Sequence, residues 1–303
     1  MTAPPRATAL ATVGLLGVTA VWGSTFVLIK DVLSRMSVVD FLAVRFTIAA
    51  VVMAVLFARP IRRLGRRQVA HGLLLGTLYG VAQLLQTWGL SLISPSVSGF
   101  ATGMYVVFTP IIAMVLLGQR MAGVVWFSVA LATLGLALLS LHGLSVGLGV
   151  WLTLASAAAY ALHIVGLGQW SRRGEAFGMS AIQVIAIAAV CLLATAPNHG
   201  PLLPPDSSAW LAVLYMALVA GAGAMLVQTW AQARLPATRA AIVMTTEPVF
   251  AAAFAVAFGV DILSWRMLLG GALVLAAMYA VELFPRRGQI GTEVPVEAIH
   301  HEV

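Results

Sequence analysis

The chain has 303 residues, of which 61% are hydrophobic and 9% charged, and its mean hydropathy is +1.00. Soluble domains are typically about 45–50% apolar and about 25% charged, whereas disordered chains combine low hydrophobicity with high net charge. The composition therefore excludes an ordinary soluble enzyme and a disordered protein, and it predicts a protein of the lipid bilayer.

Ten apolar runs follow one another along the chain. A helix needs about 20 mainly apolar residues to cross a bilayer, and the gaps between the runs are too short for a soluble domain. The sequence therefore predicts an all-α integral membrane protein with ten transmembrane helices. These spans lie at residues 10–29, 38–58, 69–92, 97–117, 122–141, 147–169, 178–196, 209–231, 237–259 and 264–284.

The placement of the arginines predicts the orientation. The net charge is +7, but five arginines lie in one short gap, residues 59–67, which indicates a cytoplasmic loop and not a nucleic-acid surface. With a cytoplasmic N-terminus, 13 of the 17 basic residues lie inside, three lie outside, and Arg45 lies within span two. We predict a multi-pass protein of the plasma (inner) membrane with both termini cytoplasmic. Residues 286–303 are predicted to form a disordered cytoplasmic tail.

The two halves of the chain resemble each other at an offset near 138 residues. The tripeptide Gln86-Thr87-Trp88 recurs as Gln228-Thr229-Trp230. Each copy is followed by a proline inside the next span, Pro110 in the first half and Pro248 in the second. The recurrence at the same place in a series of five spans predicts an internal repeat.

An odd number of spans in each repeat places the second copy upside down in the bilayer. The loop at residues 197–208, which corresponds to the arginine-rich loop, contains no Lys or Arg, as inversion requires. We predict a first five-helix repeat at residues 1–143 and a second, inverted one at residues 144–285. Inverted repeats are a recurrent construction of secondary transporters, with the substrate site between the halves.

The chain resembles the EamA-type permeases of the drug/metabolite transporter superfamily. The motifs are Trp22-Gly23-Ser24-Thr25-Phe26, Arg45-Phe46, the regions around Pro110 and Pro248, and Gly118-Gln119-Arg120 at the end of span four. Family members often carry an acidic residue where this chain has Gln119. The resemblance implies a basket of ten helices around a central cavity, which carries small metabolites such as amino acids, often outward, and uses no cofactor.

Polar side chains inside the spans predict a cavity wall. Such groups are costly in the bilayer and face a cavity or the bundle interior. Thr102, Tyr105 and Thr109 share one face of span four by helical spacing, and the repeat alignment pairs Trp22 with Tyr160. The alternative is that these groups only hydrogen-bond to neighbouring helices. The predicted cavity residues are Trp22, Thr25, Gln83, Gln86, Thr102, Tyr105, Thr109, Tyr160, His163, Gln228, Trp230 and Thr245.

Two charged residues stand out within the spans. Glu247 lies near the middle of span nine, and removal from water favours the protonated form of a carboxyl group. It is the candidate proton-coupling residue, or a site for a substrate amine. The alternatives are an ion pair with Arg45 or His163, or a neutral acid bonded to a backbone carbonyl. Arg45, which the alignment pairs with Gln183, either reaches the outer interface or binds a substrate carboxylate.

Prolines and glycines indicate where the helices bend and approach one another. Pro110 and Pro248 are predicted to kink spans four and nine. Gly72, Gly76 and Gly80 form a ridge of small residues that lets span three pack closely against a neighbour. The histidines are scattered, and their spacing does not indicate a metal site.

These observations favour a secondary transporter that exports small organic metabolites, such as amino acids, by alternating access. A facilitative uniporter or exchanger, or an importer of another metabolite class, stays open and depends on the role of Glu247. An integral-membrane enzyme would need clustered catalytic groups, which the sequence does not show. The expected partners are a small-molecule substrate and the bilayer. The oligomeric state, including a homodimer, is left open.

Overall fold

The computed structural model of the chain describes residues 5–118, 123–140, 147–170, 175–196, 202–232 and 243–283, and within these ranges it contains helices and no strand. The predicted disordered tail, residues 286–303, lies outside the described residues. The helices are α1 (Pro5–Val32), α2 (Val38–Leu56), α3 (Ala58–Arg62), α4 (Arg66–Leu92), α5 (Pro95–Gly103), α6 (Tyr105–Leu117), α7 (Gly123–Ser140), α8 (Leu148–Trp170), α9 (Ala176–Ala194), α10 (Ser207–Leu214), α11 (Ala224–Gln232), α12 (Glu247–Ala257) and α13 (Trp265–Leu283), with a π-helical segment, Tyr215–Gly223, between α10 and α11.

Helix is present in each of the ten predicted runs. Within the described ranges, five helical segments are long and apolar enough to cross a membrane by length and composition, and four more are apolar but shorter. The all-α class and the multi-pass membrane assignment are therefore confirmed, whereas ten spans in two inverted repeats stay a prediction. The five long candidates are Ala9–Val32, Val38–Leu56, Pro95–Leu117, Leu148–Trp170 and Ala176–Ala194.

Short polar residues, proline and glycine set several helix boundaries. The Ser37 hydroxyl accepts a hydrogen bond from the backbone N–H of Asp40 at 3.2 Å and begins α2. Ser94 begins α5 in the same way, and Pro95 occupies the first turn, where its missing N–H costs nothing. Helix α6 ends at Gly118, whose φ of 63° lies in the left-handed region that favours glycine. These boundaries fix the level at which each polar side chain lies.

The helix interruptions in spans four and nine precede the two prolines. Span four breaks at Met104, between α5 and α6, and Pro110 lies inside α6. Span nine has a turn at Thr245 and Thr246, and Pro248 follows in the first turn of α12, where proline is tolerated. Both breaks lie beside the cavity described below.

The helix pairs that pack most extensively each join the first half of the chain to the second. Helix α4 packs against α8 and α9, α2 against α9, α1 against α12, and α7 against α13. The predicted glycine ridge packs against α9: a methyl group at Gly76 would lie 2.5 Å from the carbonyl oxygen of Gln183. Close helix contact across the two halves therefore depends on small residues, and the space left between the halves becomes the site.

Candidate functional site

A cavity of about 370 Å³ lies between the two halves of the chain. Both halves contribute to its wall: α1, α2, α4, α5 and α6 from the first, and α8, α9, α11, α12 and the π-helical segment from the second. Arg45 and Glu247 both line it. Nine of the twelve predicted cavity residues also line it, namely Trp22, Thr25, Gln83, Gln86, Thr102, Tyr105, Tyr160, His163 and Gln228.

The other three predicted residues, Thr109, Trp230 and Thr245, are not part of this wall. Thr109 lies one turn beyond Tyr105, about 6 Å further along the helix, and its hydroxyl donates to the Tyr105 carbonyl at 2.7 Å. Trp230 packs against the apolar cluster that contains Leu15. Thr245 is 1% exposed. Polar residues within the spans thus line one cavity in nine cases of twelve, but the sequence does not give the depth of the cavity.

Hydrogen bonds connect three helices across the cavity wall. The Tyr160 hydroxyl of α8 donates to Gln86 Oε1 of α4 at 2.8 Å. Gln86 Nε2 donates in turn to Thr102 Oγ1 of α5 at 3.1 Å. The Gln86 amide is therefore held in one orientation by partners from both halves of the chain.

A second polar cluster lies beside this chain of hydrogen bonds. His163 Nε2 and Gln183 Oε1 are 2.6 Å apart, joining α8 to α9. The Tyr79 ring packs edge-on against Tyr160 and His163, with ring centroids 4.9 and 5.1 Å apart. His163 therefore has a hydrogen-bond partner other than Glu247.

Arg45 is a buried cation whose contacts are aromatic. Its side chain is 9% exposed, and its guanidinium lies over the rings of Phe46 and Phe41, with 5.1 and 5.9 Å to the centroids. Among the described residues, no carboxylate forms an ion pair with Arg45. Cation–π contacts stabilise the charge only in part, so the guanidinium keeps its hydrogen-bond donors for another acceptor.

Glu247 begins α12 and, among the described residues, is the one carboxylate on the cavity wall. Within the described part of the chain it forms no ion pair, so the anticipated pairs with Arg45 and His163 are absent from this structure. Tyr79 and Tyr160 are close enough to both Glu247 and Arg45 to interact with them electrostatically. Arg45 and Glu247 thus line the same cavity and form no ion pair with each other.

A π-helical turn shapes the wall beside Trp22. The Trp22 indole N–H donates to the carbonyl of Ala220, inside the π-helical segment, at 2.8 Å. Ala220, Gly221 and Ala222 line the cavity. A π-helical turn changes the hydrogen-bond register and is frequent at functional sites, and here it brings small residues to the cavity.

Several cavity residues lie outside the predicted wall. Gln183, which the alignment pairs with Arg45, lines the cavity, and its polarity within span seven is a usable signal. Ala220, Gly221 and Ala222 carried no signal, because small apolar residues are common throughout the spans. Across the described ranges, no group of three or more His, Cys, Asp and Glu side chains is placed to hold a metal ion.

Charged residues at one end of the bundle, called here the Lys30 end, have partners. Lys30, one of the three basic residues that the orientation count assigns to the outer side, lies inside α1, near its end. Its ammonium group donates to the backbone carbonyls of Leu90, Ser91 and Ile93 at 2.8–3.0 Å. These carbonyls lie at the end of α4, where backbone acceptors have no helical partner. Lys30 therefore joins α1 to the end of α4.

Two further contacts close the same end. Arg35 pairs with Asp31 and with Asp206, at 2.7 Å in the second case. The hydroxyl of Ser208, the backbone N–H of Ala209 and the guanidinium of Arg35 hold the pKa of Asp206 well below its usual range. These interactions join the α1–α2 turn to the beginning of α10.

Comparisons with known proteins agree with this architecture. The model of the EamA-like transporter family matches the chain twice, at residues 9–141 and 147–283. An uncharacterized transporter of Archaeoglobus fulgidus is 30% identical over 277 residues, which cover 90% of this chain and 86% of that protein. One protein of known crystal structure shares the fold, with a TM-score of 0.63 at 21% identity over 91% of this chain and 97% of that chain. The chain belongs to the EamA-like transporter family.

Proposed function

We propose that the protein is a secondary transporter that exports small zwitterionic metabolites, such as amino acids, across the plasma (inner) membrane by alternating access. One observation carries the proposal: Arg45 and Glu247 line the same cavity without pairing with each other. A cavity that offers one cation and one carboxylate matches a ligand that carries both charges.

The energetics favour a charged ligand at these two residues. Removing a charge from water without a partner is expensive, so an empty cavity leaves both groups poorly satisfied. A substrate carboxylate can accept two parallel hydrogen bonds from the Arg45 guanidinium, and a substrate ammonium group can pair with Glu247. The volume of about 370 Å³ is near the lower limit of small-molecule sites, about 300–1,000 Å³, which favours a small metabolite.

The remaining wall supplies hydrogen bonds and ring faces. Gln83, Gln86 and Thr102 offer amide and hydroxyl groups, whereas Trp22 and Tyr160 offer aromatic surface. These groups orient a polar ligand without adding fixed charge. The rings also attract a cation, which reinforces the choice of a ligand with an ammonium group.

The twofold match to one family model supports two copies of a five-helix unit, the first at residues 1–143 and the second at residues 144–285. A cavity between inverted repeats opens to one side and then to the other as the repeats rock. The Lys30 contacts join segments that the arginine distribution assigns to the outer side. Their separation is the expected step on opening outward, with both termini remaining cytoplasmic.

Glu247 provides the coupling in this proposal. A carboxylate at this position binds either a substrate ammonium group or a proton, so the two compete for one site. Competition of this kind converts an inward proton gradient into outward substrate movement. If Glu247 is structural instead, the protein is a uniporter or exchanger, which is the second candidate function.

The test is uptake of labelled amino acids into proteoliposomes, with and without a pH gradient. We expect the wild-type protein to respond to the gradient and Glu247→Gln to transport without responding. Asp31→Asn, which removes an exposed carboxylate at the Lys30 end, is the matched control and behaves as wild type. An unchanged gradient response in Glu247→Gln would assign coupling elsewhere. Failure of the wild-type protein to move any amino acid would overturn the substrate class.

A further inference from the structure

A second, smaller cavity lies at the opposite end of the bundle from Lys30. It has a volume of about 70 Å³ and lies between the beginning of α4 and the end of α8. It shares no residue with the transport cavity. The His71 ring stacks on the Trp170 indole, with centroids 4.5 Å apart and planes 15° from parallel. Its lining residues are Arg67, Gln68, His71, Gln169 and Trp170.

The lining and its surroundings are basic. Arg67 is exposed and forms no ion pair with any described residue. Four more arginines precede it within nine residues, and the lining contains no carboxylate. Positive charge that is not neutralised by the protein attracts anions over several ångströms. The pocket therefore favours an anionic ligand that accepts hydrogen bonds from Arg, His and Gln side chains.

Apolar surface continues from this pocket along both helices. Arg67, His71 and Leu74 are spaced i, i+4 and i+7 and so share one face of α4, and Leu74 is 57% exposed. On α8, Leu162 lies seven residues before Gln169, on the same helical face, and is 37% exposed. At 1.5 Å per residue, Leu74 lies about 10 Å along the helix axis from Arg67, and Leu162 lies about 10 Å from Gln169. The surface therefore extends from the level of the lipid headgroups, at the pocket, to the level of the acyl chains, at the leucines.

The geometry points to a binding site for an anionic phospholipid of the cytoplasmic leaflet. The headgroup phosphate occupies the pocket, where Arg67 and His71 donate to its oxygens, and the acyl chains lie over Leu74 and Leu162. A free phosphate would use only the polar part, whereas a phospholipid uses the polar pocket and the apolar surface together. Basic pockets between transmembrane helices on the cytoplasmic side bind such headgroups, and tryptophan prefers this interface.

The test uses delipidated protein titrated with phosphatidylglycerol or phosphatidylcholine and analysed by native mass spectrometry. We expect one phosphatidylglycerol to bind in preference to phosphatidylcholine. Arg67→Gln should lower its affinity about tenfold or more, the effect of losing one charge-assisted contact. Arg62→Gln removes an equal charge outside the pocket and should change the affinity less than twofold. Unchanged thermal stability shows that both variants are folded.

Three results would overturn the assignment. Equal binding of the two lipids would remove the anionic headgroup from the argument. Equal losses in Arg67→Gln and Arg62→Gln would show a diffuse basic surface and not a pocket. Displacement of phosphatidylglycerol by an equal concentration of glycerol 3-phosphate would assign the site to a soluble phosphate compound. None of these results depends on transport, so the proposed function stands or falls separately.

Discussion

Charged side chains have polar or charged partners at the Lys30 end, whereas Arg45 and Glu247 in the cavity form no ion pair with any described residue. At the Lys30 end, Lys30 donates to three carbonyls and Arg35 pairs with two carboxylates. In the cavity, Arg45 contacts two phenylalanine rings and Glu247 forms no ion pair with any described residue. The paired charges hold helices together, whereas the two in the cavity add little to stability.

We interpret this contrast as a difference between charges that stabilise the fold and charges that pair with the proposed substrate. A buried charge without a partner destabilises a protein, so its presence needs a reason other than folding. Substrate binding is such a reason, because the ligand supplies the missing partner. We therefore expect substitutions in the cavity to impair transport without lowering stability. Substitutions at the Lys30 end should lower stability without changing substrate affinity.

The largest effect is expected for Arg45→Gln. Loss of the guanidinium removes a charge-assisted contact worth about 1.5–3 kcal/mol, so substrate affinity should fall about tenfold to a hundredfold. Thermal stability should stay the same or rise, because an unpaired buried charge is removed. Proteoliposome transport and a thermal melt in detergent measure the two effects.

Arg59→Gln is the control for Arg45→Gln, since it removes an exposed arginine outside the cavity. It should leave substrate affinity unchanged. A large drop in the melting temperature of Arg45→Gln without a change in substrate affinity would mean that Arg45 stabilises the fold. The proposed difference between the cavity and the Lys30 end would then be wrong.

Lys30→Met is expected to have the next largest effect, on stability. The substitution leaves the carbonyls of Leu90, Ser91 and Ile93 without their donor, and an unsatisfied buried group costs about 1–3 kcal/mol. The melting temperature should fall clearly, and Lys30→Arg should restore part of the loss. Substrate affinity should not change, because Lys30 does not line the cavity. Loss of affinity with an unchanged melting temperature would contradict the assignment.

Much of the fold was predictable because hydropathy controls which segments enter a bilayer. Helix is present in all ten predicted runs, and the confirmed family fits the motifs around Trp22 and Arg45. What the pattern could not give is local helical geometry. The break at Met104 and the π-helical segment depart from regular α-helical hydrogen bonding, which a hydropathy periodicity of 3.6 residues does not encode.

The cavity wall was partly predictable for the same reason. Nine of the twelve predicted residues line the cavity between the halves; Gln86 and Tyr160 are examples, joined at 2.8 Å. Thr109 lies one turn beyond Tyr105, outside this wall, and its hydroxyl donates to the Tyr105 carbonyl of its own helix. Whether the wall binds substrate stays a prediction.

A smaller effect is expected for Trp22→Phe. Trp22 lines the cavity and also makes a structural hydrogen bond. The indole N–H donates to the Ala220 carbonyl in the π-helical segment, and loss of such a bond costs about 1 kcal/mol. Ring surface is kept, so substrate affinity should change little. Hydrogen exchange at residues 220–224 should become faster, as measured by mass spectrometry. Trp126→Phe, at an exposed position, should leave this exchange unchanged, and equal exchange in both variants would remove the role of the bond.

The smallest effect is expected at Asp206, an exposed residue that pairs with Arg35 at the Lys30 end. Its hydrogen bonds from Ser208, Ala209 and Arg35 lower its pKa in the folded state, so the stability that they provide is present above the unfolded pKa of about 3.9. That stability is lost as the pH falls through the lower, folded pKa. Asp206→Asn should therefore melt below wild type at neutral pH, and the difference should shrink between about pH 4 and pH 2. Asp31→Asn leaves Asp206 and its three donors in place and keeps the wild-type acid dependence. A constant difference at all pH values would show that the Asp206 charge does not join the α1–α2 turn to α10.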